Sequence, residues 1–412
     1  MNIIDHTRRS KKPKRHCGRN ALRVVLVIGL AYVCIGSVRY IRPLPDYTYK
    51  TTVVPPSVST AAVTWPSAGQ SAIGDTHSGV LLSSPNQTPR PTASVIKVMT
   101  ALAVLRKKPL TTGQQGPEIS LTQTDVTIYE DYVSRDGSVV AVRDGEKITE
   151  YQALQALMLP SANNIADSLV NWAFGDMESY TKYATIVATS LGMTQTTITD
   201  ASGFSSETVS TPHDLILLGK AALAEPVLAE IVSQSTAQIP VQGQIRNVNS
   251  LLGEDGINGI KTGNTDEAGG CFLVSATRIL PDGKPHTFIV ATMGFPTRGQ
   301  AMTSSVPLLA ATQQNYDFRV LAKKNQIVGS YSSDWGEKVD AVIGEDLKIF
   351  GWNGSEFSSK VSLHSIKNDH SRTNSVGTVQ SNNGTASVNV YLSKKLTGPS
   401  RTWRLQKAFT LW

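Results

Sequence analysis

Three short groups of residues could do chemistry together: Ser94-Val95-Ile96-Lys97, Ser161-Ala162-Asn163 and Lys261-Thr262-Gly263. Each alone is commonplace in a chain of 412 residues. Their order and spacing, 67 residues from Ser94 to Ser161 and 100 more to Lys261, are not. Ser94 and Lys97 stand three apart, so on a helix they share a face. Burial beside Ser94 would penalise the charged form of Lys97 and lower its proton affinity. The amine could then take the hydroxyl proton and make Ser94 a nucleophile. A helix start would also offer free backbone N–H groups to a developing oxyanion. Ser161 is placed to relay a proton toward a leaving amine, and Asn163 to hydrogen-bond a substrate amide. Lys261 supplies positive charge, Thr262 a hydroxyl donor, and Gly263 room for another backbone. Each group has a plainer reading. Ser94 could be a helix cap, Lys97 a snorkelling side chain, Ser161 and Asn163 an N-cap pair, and 261–263 a turn. The combination favours acyl transfer through Ser94.

The elements that must position these groups are partly legible. Val95 to Leu105 is apolar apart from Lys97 and Thr100, the pattern of a buried helix. Residues 71–90 alternate like a hairpin with its bend at 75–79. Thr149 and Gln152 have capping-box spacing, and their helix runs to Pro160. Ser161 to Asn163 therefore lie on a link before a further helix at 164–173. Helical patterns return at 213–233 and 299–313. Strands are expected at 257–263, 271–278 and 287–295, the last two joined by the turn Pro281-Asp282-Gly283-Lys284. The result is an α+β domain over 71–320. Beyond it, short alternating segments such as 341–343 and 386–391 are separated by Asn353-Gly354 and Asn383-Gly384. Residues 321–412 thus read as a small all-β domain.

Charge separates the N-terminus from the rest. The net charge is +7, and residues 1–23 hold eight basic side chains against Asp5 alone. The remainder is neutral, so the basic balance reflects topology and not nucleic-acid binding. Residues 1–23 read as a basic cytoplasmic tail. The uncharged run 24–39 follows, short of the roughly 20 residues of a typical span but extendable by snorkelling arginines. No clear small-x-small cleavage site precedes the polar region, which favours a retained transmembrane signal-anchor over a cleaved signal peptide. Residues 40–70, rich in Pro, Thr and Ser, read as a tether. Of the three cysteines only Cys271 falls in the exported part, where it reads as a buried strand residue.

The chain resembles the D-alanyl-D-alanine carboxypeptidases, low-molecular-mass penicillin-binding proteins with a serine β-lactamase/transpeptidase-like fold. The likeness extends beyond the three triplets to Pro91-Thr92-Ala93-Ser94, Leu159-Pro160-Ser161-Ala162-Asn163-Asn164 and Gly259 through Gly269. The ending Pro399 to Leu405 is similar to the last strand of the β-domain found in many members. The resemblance implies an acyl-enzyme on Ser94 and a peptidoglycan stem peptide ending in D-Ala-D-Ala as substrate. It implies an oxyanion hole from the N–H groups of Ser94 and Asn264, a carboxylate-binding role for Arg298, and β-lactams as covalent inhibitors. It implies no cofactor and no metal. The catalytic domain would lie outside a bacterial membrane. Many relatives carry a C-terminal amphipathic helix as anchor; none is expected here, where the N-terminal segment would do that work.

Rival activities fare differently. A class A β-lactamase needs a Glu-x-x-x-Asn loop after the second motif, and none of Glu178, Glu207, Glu225 and Glu230 has Asn four residues on. There is no His-Glu-x-x-His for a metallopeptidase and no Gly-x-Ser-x-Gly elbow. A D,D-endopeptidase cutting cross-links would use the same site and stays open. So does a non-catalytic wall-binding relative, though the intact Ser94, Lys97, Ser161 and Lys261 disfavour it.

Overall fold

The computed structural model describes residues 17–367 and 372–410. Most of the expected basic tail lies outside them. Helix α1 spans Cys17–Ile41. At 1.5 Å per residue its 25 residues reach about 37 Å. The helix is therefore longer than its uncharged stretch, and Gly18–Ile41 is long and apolar enough to cross a membrane. The chain divides into two compact units. One comprises Val58–Phe318 with Phe350–Glu356; the other comprises residues up to Ser57 with Arg319–Ile349 and the segment from Phe357 onward.

The larger unit holds all three motifs. Its sheet has five antiparallel strands in the order 257–265, 269–279, 285–295, 70–75, 79–83. Eight helices accompany the sheet: α2 (Lys97–Lys107), α3 (Gln123–Ser134), α4 (Glu150–Met158), α5 (Asn163–Phe174), α6 (Met177–Ser190), α7 (Pro212–Leu223), α8 (Pro226–Val232) and α9 (Arg298–Gln314). Strand alternation explains how the sheet is covered on both faces. Leu273, Ile289 and Ala291 enter the main core with α2, α4, α5 and α7. Their neighbours Phe272, Val274, Phe288 and Val290 pack on the opposite side with Ala301, Met302, Leu308 and Leu309 of α9. Two covered faces account for the near-continuous apolar runs of the central strands, a pattern usual in parallel sheets.

Local signals set most helix limits. Thr149 accepts from the Gln152 N–H, and Gln152 answers through the Thr149 N–H, so the capping box starts α4. Pro160, which has no backbone N–H to continue the helix, follows its end. The expected helix over 213–233 is two helices, because Pro226 takes the first position of α8. Helix α2 starts later than expected. Residues Ala93–Ile96 form a single 3₁₀ turn, and the α-helix begins at Lys97.

The smaller unit departs from two expectations. The stretch read as a tether is not free chain. Thr48–Thr51 pairs with Ile327–Ser332 as an outer strand of a six-stranded sheet, and Tyr47 and Val54 are buried in that unit's core. The β-favouring Thr-Tyr-Lys-Thr sequence suits an edge, and Pro55 and Pro56 end the pairing. The ending Pro399 to Leu405 is not a strand. Ser400 caps a helix, α10 (Arg401–Phe409), by accepting from the Trp403 N–H. Its Phe409 ring meets Tyr32 of α1 at 5.5 Å between centroids. The region from 321 is thus a small β-domain followed by a short terminal helix, where a last strand was expected.

Candidate active site

The first motif is built around a buried amine. Lys97 is fully buried, and its Nζ donates to Ser94 Oγ at 2.8 Å, Asn163 Oδ1 at 2.6 Å and the Ser202 carbonyl at 2.8 Å. Three acceptors match the three protons of an ammonium. Burial nevertheless lowers its proton affinity to about 7, only partly offset by the negative charges of Asp200 and Asp167. Ser94 is half-buried and opens onto a cleft. Its hydroxyl does not cap a helix; neither the 3₁₀ turn nor α2 has a side-chain cap.

The second motif reaches the same amine through Asn163. Ser161 and Ala162 link α4 to α5, and Asn163 is the first residue of α5, which has no side-chain cap either. Ser161 takes a left-handed backbone, φ 72°, and its buried hydroxyl has no hydrogen-bond partner among the described residues. For a serine this conformation costs on the order of 1–3 kcal/mol. Ser161 makes no hydrogen bond to Lys97; Asn163 does.

Lys261, Thr262 and Gly263 lie on the outermost strand of the sheet, and not in a turn. The strand runs against the serine turn, and Gly263 permits this. A Cβ there would stand 3.1 Å from the Ser94 nitrogen and 3.0 Å from Ala93 Cβ. Lys261 is buried and donates to the Thr262 carbonyl at 3.0 Å. Its proton affinity falls well below the ordinary value through burial, with the charges of Lys97 and Arg298 adding to the effect. Arg298, the exposed first residue of α9, is therefore within electrostatic reach of the site. Asn264 is exposed and lines the cleft beside Ser94. Cys271, opposite Gly263 in the sheet, is a buried thiol whose pKa burial raises to about 11.

The cleft has a volume of about 400 Å³. Two of its walls escaped sequence reading. One is the loop Asp200-Ala201-Ser202-Gly203-Phe204. The Asp200 carboxylate accepts from the Phe204 N–H at 2.9 Å, Ser202 Oγ at 2.8 Å and Thr208 Oγ1 at 2.5 Å, which holds the Ser202 carbonyl on Lys97. Its signal was a polar Asp-x-Ser-Gly turn between helical runs. The other is the turn Arg135–Ser138 after α3, a helix the sequence pattern did not reveal. Among the described residues no cluster of metal-ligating side chains occurs.

Known proteins are similar to this chain in sequence and fold. The family model for D-alanyl-D-alanine carboxypeptidases of the peptidase S11 type matches residues 58–291. The D-alanyl-D-alanine carboxypeptidase DacB2 of Mycobacterium tuberculosis is 33% identical over 214 residues, covering 50% of this chain and 69% of that protein. A D-alanyl-D-alanine endopeptidase of Escherichia coli is 29% identical over 212 residues, 49% of this chain and 63% of its own length. Among solved structures, a D-alanyl-D-alanine carboxypeptidase from Mycobacterium tuberculosis superposes with a TM-score of 0.53 at 28% identity, over 62% of this chain and 95% of that one. The D-alanyl-D-alanine carboxypeptidase DacD from Francisella tularensis shares the fold over 84% of this chain and 97% of its own, with a TM-score of 0.57 at 18% identity. With more than half its length matched by one family model, this chain belongs to the D-alanyl-D-alanine carboxypeptidase family.

Proposed function

We propose that this protein removes the terminal D-alanine from peptidoglycan stem peptides through an acyl-enzyme on Ser94. The observation that carries this reading is the Lys97 amine, fully buried, 2.8 Å from Ser94 Oγ and brought to a pKa of about 7 by burial. In its neutral form Lys97 takes the Ser94 proton as Oγ attacks the carbonyl between the two D-alanines. The oxyanion is received by the N–H groups of Ser94 and Asn264. The C–N bond then breaks, and the leaving amine gains the proton from Lys97, with Ser161 as relay. Water hydrolyses the ester and restores Ser94.

The remaining motif residues orient the substrate. Asn163 has its Oδ1 committed to Lys97, so its Nδ2 is the donor left for a substrate carbonyl. The outer strand bearing Gly263 offers an unpaired edge to an extended peptide. Lys261, the Thr262 hydroxyl and Arg298 hold the terminal carboxylate. Penicillins acylate the same serine and leave slowly. Helix α1 anchors the chain in the bacterial membrane, with the basic flank inside and the catalytic unit on the extracytoplasmic side. No nucleic acid and no cofactor take part.

The test is D-alanine release from a peptide ending in D-Ala-D-Ala, beside the Ser94→Ala variant. Release abolished by that substitution is the expected result. Labelling of Ser94 by fluorescent penicillin without any release would favour the second reading, a D,D-endopeptidase, which relatives named as endopeptidases also support. Neither release nor labelling would leave a wall-binding relative without activity.

A further inference from the structure

The larger unit has a second hollow, of about 480 Å³, that the reaction does not use. It lies between the turn 64–68 and one face of α9. Its apolar lining includes Trp65, Pro66, Phe295 and Pro296. Trp65 is half-buried against the core on the α9 side of the sheet, which holds its ring in place. Gly69, with φ 68°, lets the turn close on Phe295; a Cβ there would stand 2.5 Å from Phe295 Cε2. From α9 come Gln300, Ser304 and Pro307, spaced i, i+4 and i+7 and so on one face.

The chemistry of the lining decides the ligand. None of its side chains is charged, whereas the reaction cleft presents Arg135, Asp136, Asp266 and Glu267. A charged ligand would lose hydration here without gaining a partner. Aromatic rings and prolines offer flat surface, and the negative face of an aromatic ring attracts polarised C–H groups. Gln300 and Ser304 add donors and acceptors. Pro307 has no N–H for the Thr303 carbonyl, so its ring stands beside an acceptor without the usual helical donor. Flat C–H surface edged by hydroxyl and amide groups suits a neutral saccharide.

We propose that this groove binds the glycan of peptidoglycan. Its position says which strand. Arg298, assigned above to the terminal carboxylate, is two residues from both Pro296 and Gln300, at the start of α9. A stem peptide therefore arrives with its cut end toward the groove and its own sugar at the opposite end. The saccharide held here belongs to a neighbouring strand, so the groove seats the enzyme on assembled wall instead of single precursors. The choice of strand rests on the peptidase reading; saccharide binding itself does not.

The full chain, in a detergent without sugar, is titrated with a peptide-free N-acetylglucosamine tetrasaccharide. D-alanine release is then compared between polymeric peptidoglycan and a short soluble peptide. Trp65→Ala should weaken saccharide binding about tenfold, and Trp65→Phe should recover part of it. Because Trp65 also packs on the core, Pro307→Ala separates binding from folding. It returns an N–H to the helix, so the melting temperature holds or rises while binding weakens about fivefold, the loss of one hydrogen bond. Each variant should slow release from the polymer and leave release from the soluble peptide unchanged. Absent binding, or binding and polymer rates that Trp65→Ala and Pro307→Ala leave unmoved, overturns the proposal. So does a proline-rich peptide bound in place of the saccharide, which would assign the groove to a polypeptide. Saccharide binding weakened in the variants, with no release from either substrate, would keep the groove and remove the peptidase reading instead.

Discussion

Lys97 exists between two opposing demands. Burial favours its neutral form, while Asp200 and Asp167 favour its charged form. Acylation needs the neutral amine, so the rate of Ser94 acylation by a penicillin should rise with pH through about 7. Asp167 provides a way to move that limb. Its own carboxyl is raised by burial to about 6, so at neutral pH it is mostly ionised and helps Lys97 keep its proton. Asp167→Asn retains an acceptor for the Tyr132 hydroxyl but removes the negative charge. The pKa of Lys97 then falls, and the acid limb moves to lower pH. Acylation at pH 6 is expected to increase roughly twofold to fivefold. A limb that stays in place or moves upward would remove Lys97 as the base. The identities of Ser94, Lys97 and Asn163 were legible because side-chain chemistry is written in the sequence. The Ser202 acceptor was not, because it is a backbone carbonyl, and its position depends on how Asp200 folds its own loop.

The loop 200–204 shows how one element closes the site. Gly203 has φ 71°, and a Cβ on it would fall 1.9 Å from the Ala93 carbonyl oxygen. Gly203→Ala therefore pushes the loop away from the serine turn and takes the Ser202 carbonyl from Lys97. We expect about 2–4 kcal/mol lost from stability, from the backbone strain and the displaced contact together, and at least a tenfold slower acylation. Thermal unfolding and penicillin labelling measure the two effects, and an unchanged labelling rate would mean that the loop does not govern the amine. Elements with strong punctuation could be read in advance. The box of Thr149 and Gln152 and the hairpin at 75–79 are examples. Helix α10 was missed because Pro399 to Leu405 was read by its resemblance to a family strand, and the local signal, Ser400 as an N-cap, was passed over. Helix α3 carries too mixed a surface for periodicity to reveal it, and with it went the turn that presents Arg135.

The chain's two ends contribute to one unit, and this changes how the molecule can be cut. Composition alone suggested a pliant stalk at 40–70, since proline, threonine and serine resist burial in a core. Pairing partners nearly 280 residues away decide otherwise: Thr48 stands opposite Ser332 and Thr51 opposite Gly329. Long-range register of this kind has no local signature. A chain beginning at residue 42 keeps this strand, whereas one beginning at residue 58 loses it. The shorter chain would bare the edge of Ile327–Ser332 and remove Tyr47 and Val54 from the core that they share with Tyr331 and Val328. At about 2 kcal/mol for each buried side chain, with the lost strand hydrogen bonds in addition, the smaller unit should melt at a visibly lower temperature. Penicillin labelling of Ser94 should continue, because every motif residue belongs to Val58–Phe318. Calorimetry of the two chains gives the comparison. Superimposable melting curves would show that the strand adds nothing, and the segment would again be a tether. An earlier melting transition with labelling intact would make residue 42, not 70, the proper start for any soluble form of the protein.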